Sequence, residues 1–289
     1  AAFDPETGGW RLLSPTRFSA RAWPVAVWTG SEMVVIGGVD GDDRSLSGAA
    51  AYDPAADAWR EVDLAWSAVA PLSDAVWTGG AVVVVGAVPP PTGDPSADVI
   101  ALDPVEGFVT ALTPYGEPAR RGVAVRWDGD AVVTVTVDDA TDVVVRRLDP
   151  ATGRVLDETT AVGVRGLDVD PNAVATVGDI VVVPVHDAVG ALFSDGPPTD
   201  LESSGSATRW PAAVVGTLVS YGDVVLDVES GEWNDAPLPD ANWDRQFPVA
   251  VSTGDAIVVW GGDACGRVAS CSGLVHPDQT LIWVPGLAG

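Results

Sequence analysis

The sequence contains no lysine. All 15 basic residues are Arg, set against 41 Asp and Glu, for a net charge of −26. A nucleic-acid-binding protein neutralises phosphates with a basic face, so this balance argues against nucleic acid and equally against anionic membrane surfaces. Part of the Asp excess has a local cause, because Asp recurs in turns. Histidine is almost missing (His186 and His276), and so is tyrosine (Tyr52, Tyr115 and Tyr221). The only cysteines, Cys265 and Cys271, share the loop GGDACGRVASCSG. They suit a local disulfide better than a zinc site, which takes four ligands, and a disulfide favours an exported, extracellular or cell-surface protein. No apolar run approaches the roughly 18–20 residues of a membrane-spanning helix, and no stretch reads as an amphipathic helix. No signal peptide is visible; the chain opens at Ala1 and reads as a processed or trimmed product.

Glycine and proline are plentiful, 32 and 23 residues, and they fall at regular intervals. Taking VWTG, VWTG, RWDG, ATVG, AVVG and VSTG as one recurring hinge places its glycine at Gly30, Gly79, Gly129, Gly178, Gly216 and Gly254. Each hinge is flanked by short β-branched runs, the signature of two strands joined by a turn. A second motif runs in phase: Asp4 to Trp10, Asp53 to Trp59, Asp103 to Phe108, Asp149 to Val155 and Asp227 to Trp233. Asp caps a turn, the Pro that follows it in four of the five fixes φ, and a large apolar residue then opens a fourth strand. Each period therefore holds four strands, a-b-c-d, and a period of 40–50 residues marks propeller arrays. The predicted fold is all-β: a β-propeller of four-stranded antiparallel blades, six-bladed, with seven blades as the alternative.

The motif R-x-x-P-x-A-V-W-T-G-x-x-M-V-V-x-G-G followed by A-Y-D-P-x-x-D-x-W resembles Kelch repeats, especially those of bacterial secreted proteins. It is sharpest over 21–62 and again over 245–262; the paired glycines occur as Gly37-Gly38 and Gly261-Gly262. The resemblance spans 1–289 as a single domain. Residues 1–13 read as a c-d pair without its a-b, expected to close the ring on the C-terminal blade at 247–285, so that no sheet edge stays open. Residues 186–210 read as the weakest repeat, mostly loop with a short strand at 191–193, and PPPTGDP at 89–95 reads as an excursion.

Groups that carry catalysis are scarce. Kelch enzymes with a copper site use Tyr and His, which cannot be assembled from two His in unrelated repeat positions. His276 stands where the repeats put the turn Asp, and His186 reads as an exposed loop residue. The acidic loop VDGDDRS offers Asp40, Asp42 and Asp43 as weak calcium candidates, and VDDATD offers Asp138, Asp139 and Asp142, but neither has EF-hand spacing. No metal or other cofactor is otherwise expected. Trp28, Trp77, Trp127 and Trp260, evenly placed near the hinges, read as packing between blades; Trp10, Trp59 and Trp233 read as repeat-core positions.

The most informative charges stand nine residues ahead of hinge glycines: Arg21, Arg120 and Arg245, joined by Arg121 and by Arg209. Trp23, Trp210 and Trp243 accompany them. In a propeller these residues lead into the innermost strand and ring one mouth of the central channel. Kelch domains resemble this in placing arginines there against anionic or polar ligands. Planar Arg forks suit carboxylates and aromatic rings offer stacking faces; the competing reading is an Arg that pairs with an Asp of the neighbouring blade. The expected function is non-catalytic recognition of a protein, peptide or glycan at this mouth by a monomer with no membrane span. The alternatives are a Kelch-fold enzyme acting on a carbohydrate and a structural module of a larger surface protein.

Overall fold

In a computed structural model of the chain, the residues described are 1–46, 48–64, 74–87, 97–111, 124–137, 142–161, 171–184, 190–194, 196–201, 211–222, 224–236, 249–260 and 280–285. Apart from one 3-10 turn at Pro171–Ala173, the regular structure among them is β-strand. A short hairpin comes first, β1 (Ala2–Asp4) with β2 (Gly9–Arg11). Blade one is β3 (Val25–Trp28), β4 (Met33–Ile36), β5 (Ala49–Asp53) and β6 (Ala58–Val62). Blade two is β7 (Asp74–Trp77), β8 (Val82–Ala87), β9 (Ala97–Leu102) and β10 (Val109–Ala111). Blade three is β11 (Ala124–Trp127), β12 (Val132–Val137), β13 (Val143–Leu148) and β14 (Val155–Ala161).

Blade four is β15 (Ala175–Val177), β16 (Ile180–Val183), β17 (Gly190–Phe193) and β18 (Thr199–Leu201). Blade five is β19 (Ala213–Val215), β20 (Leu218–Ser220), β21 (Val224–Asp227) and β22 (Glu232–Asp235). Blade six has, among the described residues, three strands, β23 (Val249–Ser252), β24 (Ile257–Trp260) and β25 (Thr280–Trp283). Within each blade the strands pair in chain order and antiparallel. These six sheets make an all-β, six-bladed β-propeller fold.

Blades one to three belong to one compact unit, save Val143 and the end of β14 at 159–161, and blades four to six belong to a second. In each unit the blades stack face to face. Val82 and Val84 of β8 pack with Val34, Ile36 and Ala51 of blade one, whereas Val83 packs with Val125, Val132 and Leu148 of blade three. Alternate residues of one strand thus bury against opposite neighbours, which is why the run is apolar throughout instead of alternating. Each buried Val contributes about 1.5–3 kcal/mol relative to exposure. In the second unit Ala175, Val182 and Leu201 meet Val219, Tyr221 and Leu226, while Ala213 meets Ile257 and Val259.

Both sequence rulers have a backbone cause. The hinge glycines 30, 79, 129, 178, 216 and 254 all have positive φ, between 59° and 105°, in the region L side chains avoid. The Asp of the second ruler caps the c-d turn. Asp53 Oδ1 accepts the amides of Ala55 and Ala56 at 2.8 and 3.1 Å, Asp103 those of Val105 and Glu106, and Asp149 those of Ala151 and Thr152. Four residues after that Asp the chain turns left-handed, at Gly8, Gly107, Gly153 and Gly231, and in blade one at Asp57 (φ 48°).

Within 186–210 the short strand expected at 191–193 is present as β17, and a second strand, β18, joins it to complete a four-stranded blade, with Gly190, Ala191 and Phe193 buried. Two expectations need correction. Trp28 is not blade packing; its ring is 54% exposed, unlike the half-buried Trp77 and Trp127 at the same position. Trp260 is not at that position at all. It pairs with Val249, at the far end of the b strand from the hinge, and is exposed.

Candidate functional site

A four-stranded meander separates its connections by end. The a-b and c-d turns lie at one end of the blade; the b-c loop and the d-a lead into the next blade lie at the other. The turn end is short and backbone-determined, as at 29–32, 78–81 and 178–179. The connecting end carries the long segments, 63–73, 112–123, 162–174, 202–212 and 236–248 between blades. Arg120, Arg121, Arg209, Trp210, Trp243 and Arg245 all belong to these long connections and lie outside the described residues. So do Cys265 and Cys271, both histidines, the 89–95 excursion, Asp138 and Asp139.

The connecting end of blade one is described almost completely and holds Arg21 and Trp23. Arg21 is spoken for by its own blade. Its Nη1 donates to the Gly37 carbonyl at 2.7 Å, its Nε to the Ser19 carbonyl at 3.1 Å and its Nη2 to Ser19 Oγ at 3.0 Å. Its guanidinium carbon lies 3.3 Å from the centroid of the Phe18 ring, a cation–π arrangement. Partial burial pushes its pKa down. Arg21 is therefore a rivet, though its partner is a carbonyl of the same blade and not an Asp of the next one. Gly37, the first of the glycine pair that marks the sharpest repeat, presents that carbonyl.

Trp23 is set differently. Its backbone has φ 50°, a conformation bulky side chains seldom adopt, and its ring is 68% exposed. Two neighbours enforce this. Ala22 exchanges two 2.9 Å backbone hydrogen bonds with Val39, and the chain then crosses Gly38 so closely that a Cβ there would sit 2.7 Å from the Ala22 carbonyl oxygen. Strain of this kind costs on the order of 1–3 kcal/mol and persists only where surrounding contacts over-determine it.

Beside Trp23's segment runs the acidic loop. Asp40 Oδ1 accepts the amides of Asp42 and Arg44, both at 2.9 Å, and Arg44 pairs with Asp42 at 3.0 Å. Asp40 thus stabilises its own turn, and Asp43 occupies a left-handed position (φ 59°). Among the described residues no group of three or more His, Cys, Asp or Glu is placed to hold a metal ion.

The turn end of blade one holds a cluster that sequence reasoning missed. Asp57 Oδ1 accepts from Tyr52 Oη at 2.5 Å, from Arg11 Nη1 at 3.2 Å and from the Ser14 amide at 3.2 Å; Asp57 Oδ2 accepts from Ser14 Oγ at 2.9 Å. Tyr52 and then Ser14 hold the Asp57 carboxyl well below the usual carboxylate range, at about 2. The signal was available: where ETGG, VEGF, ATGR and ESGE place glycine at the left-handed position, blade one reads AADA. Elsewhere, Asp74 at the head of β7 accepts from the Val125 amide and from Arg126 Nη1 of β11, at 3.0 and 3.1 Å, riveting blade two to blade three.

Compared with known protein families and with characterised proteins, the sequence matches none.

Proposed function

We propose that this protein is a non-catalytic recognition propeller of Kelch type that binds a protein, peptide or glycan through the connecting end of its blades. Its place is outside the cell, with Cys265 and Cys271 joined. The observation that carries the reading is Trp23: a large aromatic ring held in solvent on a strained backbone, where ordinary packing would bury it. Such rings supply stacking area at low conformational cost and dominate recognition surfaces. The support for an anionic ligand at this end has narrowed, because Arg21 spends its donors on Ser19 and Gly37. Trp23 becomes the residue to test, with Trp210, Trp243 and Arg245 as its counterparts on other connections.

The test is a glycan and peptide array probed with the wild type, Trp23→Gly and the Trp23→Gly/Arg245→Ala double variant. Glycine relieves the φ of 50° while removing the ring, so the fold is kept. Loss of a wild-type signal in either variant supports the reading; array profiles identical in all three proteins overturn it.

A further inference from the structure

The dipeptide Asp-Gly occurs at 40–41, 128–129 and 195–196. It is the sequence at which a backbone rearranges most readily unaided, because glycine has no Cβ to hinder its amide nitrogen from turning on the preceding carboxyl. Asp195 lies outside the described residues. The other two pairs sit in the same local sequence, Asp-Gly-Asp, and both glycines have open space about the missing Cβ.

At one carboxyl oxygen the two sites are alike. Asp40 Oδ1 accepts the amides of Asp42 and Arg44, both at 2.9 Å; Asp128 Oδ1 accepts those of Asp130 and Ala131 at 2.9 and 2.7 Å. Two amides fixed on that oxygen polarise its bond to Cγ. They are already placed for the negative charge it gains when a nucleophile adds there.

At the second oxygen they are opposed. Asp128 Oδ2 pairs with Arg147 Nη2 at 2.7 Å, and the Asp128 side chain is 4% exposed. Asp40 Oδ2 faces Arg44 Nη1 at 3.9 Å, beyond hydrogen-bond reach, while that same nitrogen pairs with Asp42. The Asp40 side chain is 32% exposed. Oδ2 is the oxygen that must leave. Open to solvent it can take up a proton and depart as water; covered and held by a guanidinium it cannot.

We propose that Asp40-Gly41 is a site of spontaneous succinimide formation and isoaspartate exchange, and that Asp128-Gly129 is protected from it. The Gly41 nitrogen bonds to Asp40 Cγ and gives up its proton, the Cγ–Oδ2 bond breaks, and Oδ2 leaves as water with that proton and one from solvent. Water then opens the ring at either carbonyl, restoring Asp40 or yielding isoaspartate, with no change of oxidation state. In isoaspartate Oδ1 becomes the backbone carbonyl oxygen. The former Asp40 carbonyl, which accepts the Asp43 amide at 3.1 Å, becomes part of the carboxylate. The backbone is longer by one carbon, and both anchors of the 40–44 turn are redrawn. An aged molecule therefore presents a different surface beside Trp23's segment. Its effect on recognition rests on the function proposed for that end; the chemistry does not.

The full chain is held folded in warm, mildly acidic buffer and, in parallel, unfolded in concentrated guanidinium chloride. Cleavage at Arg isolates residues 22–44 and 127–146 as separate peptides. Electron-transfer fragmentation locates isoaspartate in each, and succinimide appears as a peptide lighter by one water. In the folded chain product is expected at Asp40 at least about tenfold faster than at Asp128, and in the unfolded chain at similar rates. Equal rates in the folded chain, no product at Asp40 there, or a preference of the same size in guanidinium would each overturn the proposal. Arg147→Gln, its fold checked by circular dichroism, is expected to raise the rate at Asp128 alone. An unchanged Asp128 in the folded variant would overturn the protection assigned to Arg147. If the variant does not fold, the comparison of folded and unfolded wild type decides.

Discussion

Tyr52 and Asp57, five residues apart across the c-d turn of blade one, are joined by a 2.5 Å hydrogen bond. The same carboxylate reaches back to Arg11 and Ser14. At the position where four other described turns use glycine, this blade accepts a left-handed aspartate and gains a clasp on the N-terminal segment. The local backbone cost and the long-range gain meet in one residue, so they can be separated by substitution.

Asp57→Gly removes the clasp and relaxes the backbone, whereas Asp57→Ala removes the clasp and keeps the strained φ. Both variants are expected to melt below the wild type, Asp57→Ala lower than Asp57→Gly, in thermal unfolding followed by circular dichroism. Equal melting temperatures for wild type and Asp57→Ala would mean that the contacts with Tyr52, Arg11 and Ser14 do not stabilise the fold.

The clasp also sets a pH dependence. The folded pKa of Asp57, about 2, lies below its ordinary value of 3.8. A depressed carboxylate pKa contributes stability that is fully present above the ordinary value and lost as pH falls through the folded one. The gap in melting temperature between the wild type and Asp57→Asn is therefore expected to be constant at neutral and mildly acidic pH and to close below pH 3.8. A gap that widens on acidification would contradict this assignment.

Glycines of the same sign of φ separate by what surrounds them. Gly79 (φ 88°) has open space about its missing Cβ, while Gly38 (φ 96°) and Gly107 (φ 74°) each have a backbone oxygen 2.7 Å from it. Gly79→Ala is expected to cost about 1 kcal/mol for conformation alone, and Gly38→Ala and Gly107→Ala about 2–4 kcal/mol with the clash added. Denaturant midpoints at constant slope provide the measurement.

Asp74 tests the rivet between blades. Asp74→Ala leaves the Val125 amide and the Arg126 guanidinium without this acceptor, an expected loss of about 1–3 kcal/mol. Asp74→Asn retains a carbonyl for the amide and is expected to lose less. Chemical denaturation of the two variants distinguishes them; if both lose the same, the Arg126 contact alone carries the effect.

The parts of the fold legible in the sequence are those fixed by local backbone demand. Only glycine satisfies the hinge φ comfortably, and a short acceptor such as Asp caps the c-d turn, so the counterparts of Gly30 announce themselves at all six hinges and those of Asp53 at most c-d turns. Burial was less legible. Trp28 and Trp77 share a motif, VWTG, yet one ring is exposed and the other half-buried, because exposure depends on the adjoining blade. Trp260 was misplaced because its run could be slid along the hinge, and only pairing with Val249 fixed it. For the site, the motif located Arg21 but not its partners, which are carbonyls with no sequence signature. The left-handed turn at Trp23 depends on Gly38, fifteen residues away. Asp57 was the reverse case: its departure from the repeat was visible, while two of the contacts that explain it, Arg11 and Ser14, lie more than forty residues upstream.

The separation of tight turns from long connections gives the two ends of each blade different freedom to change with time. At the turn end a substitution meets a backbone that accepts one or two residue types, so variation there is removed by selection on stability. At the connecting end length and composition can drift while the strands stay paired. Lineages sharing this scaffold should therefore resemble one another in their hinges and diverge in the surfaces they present.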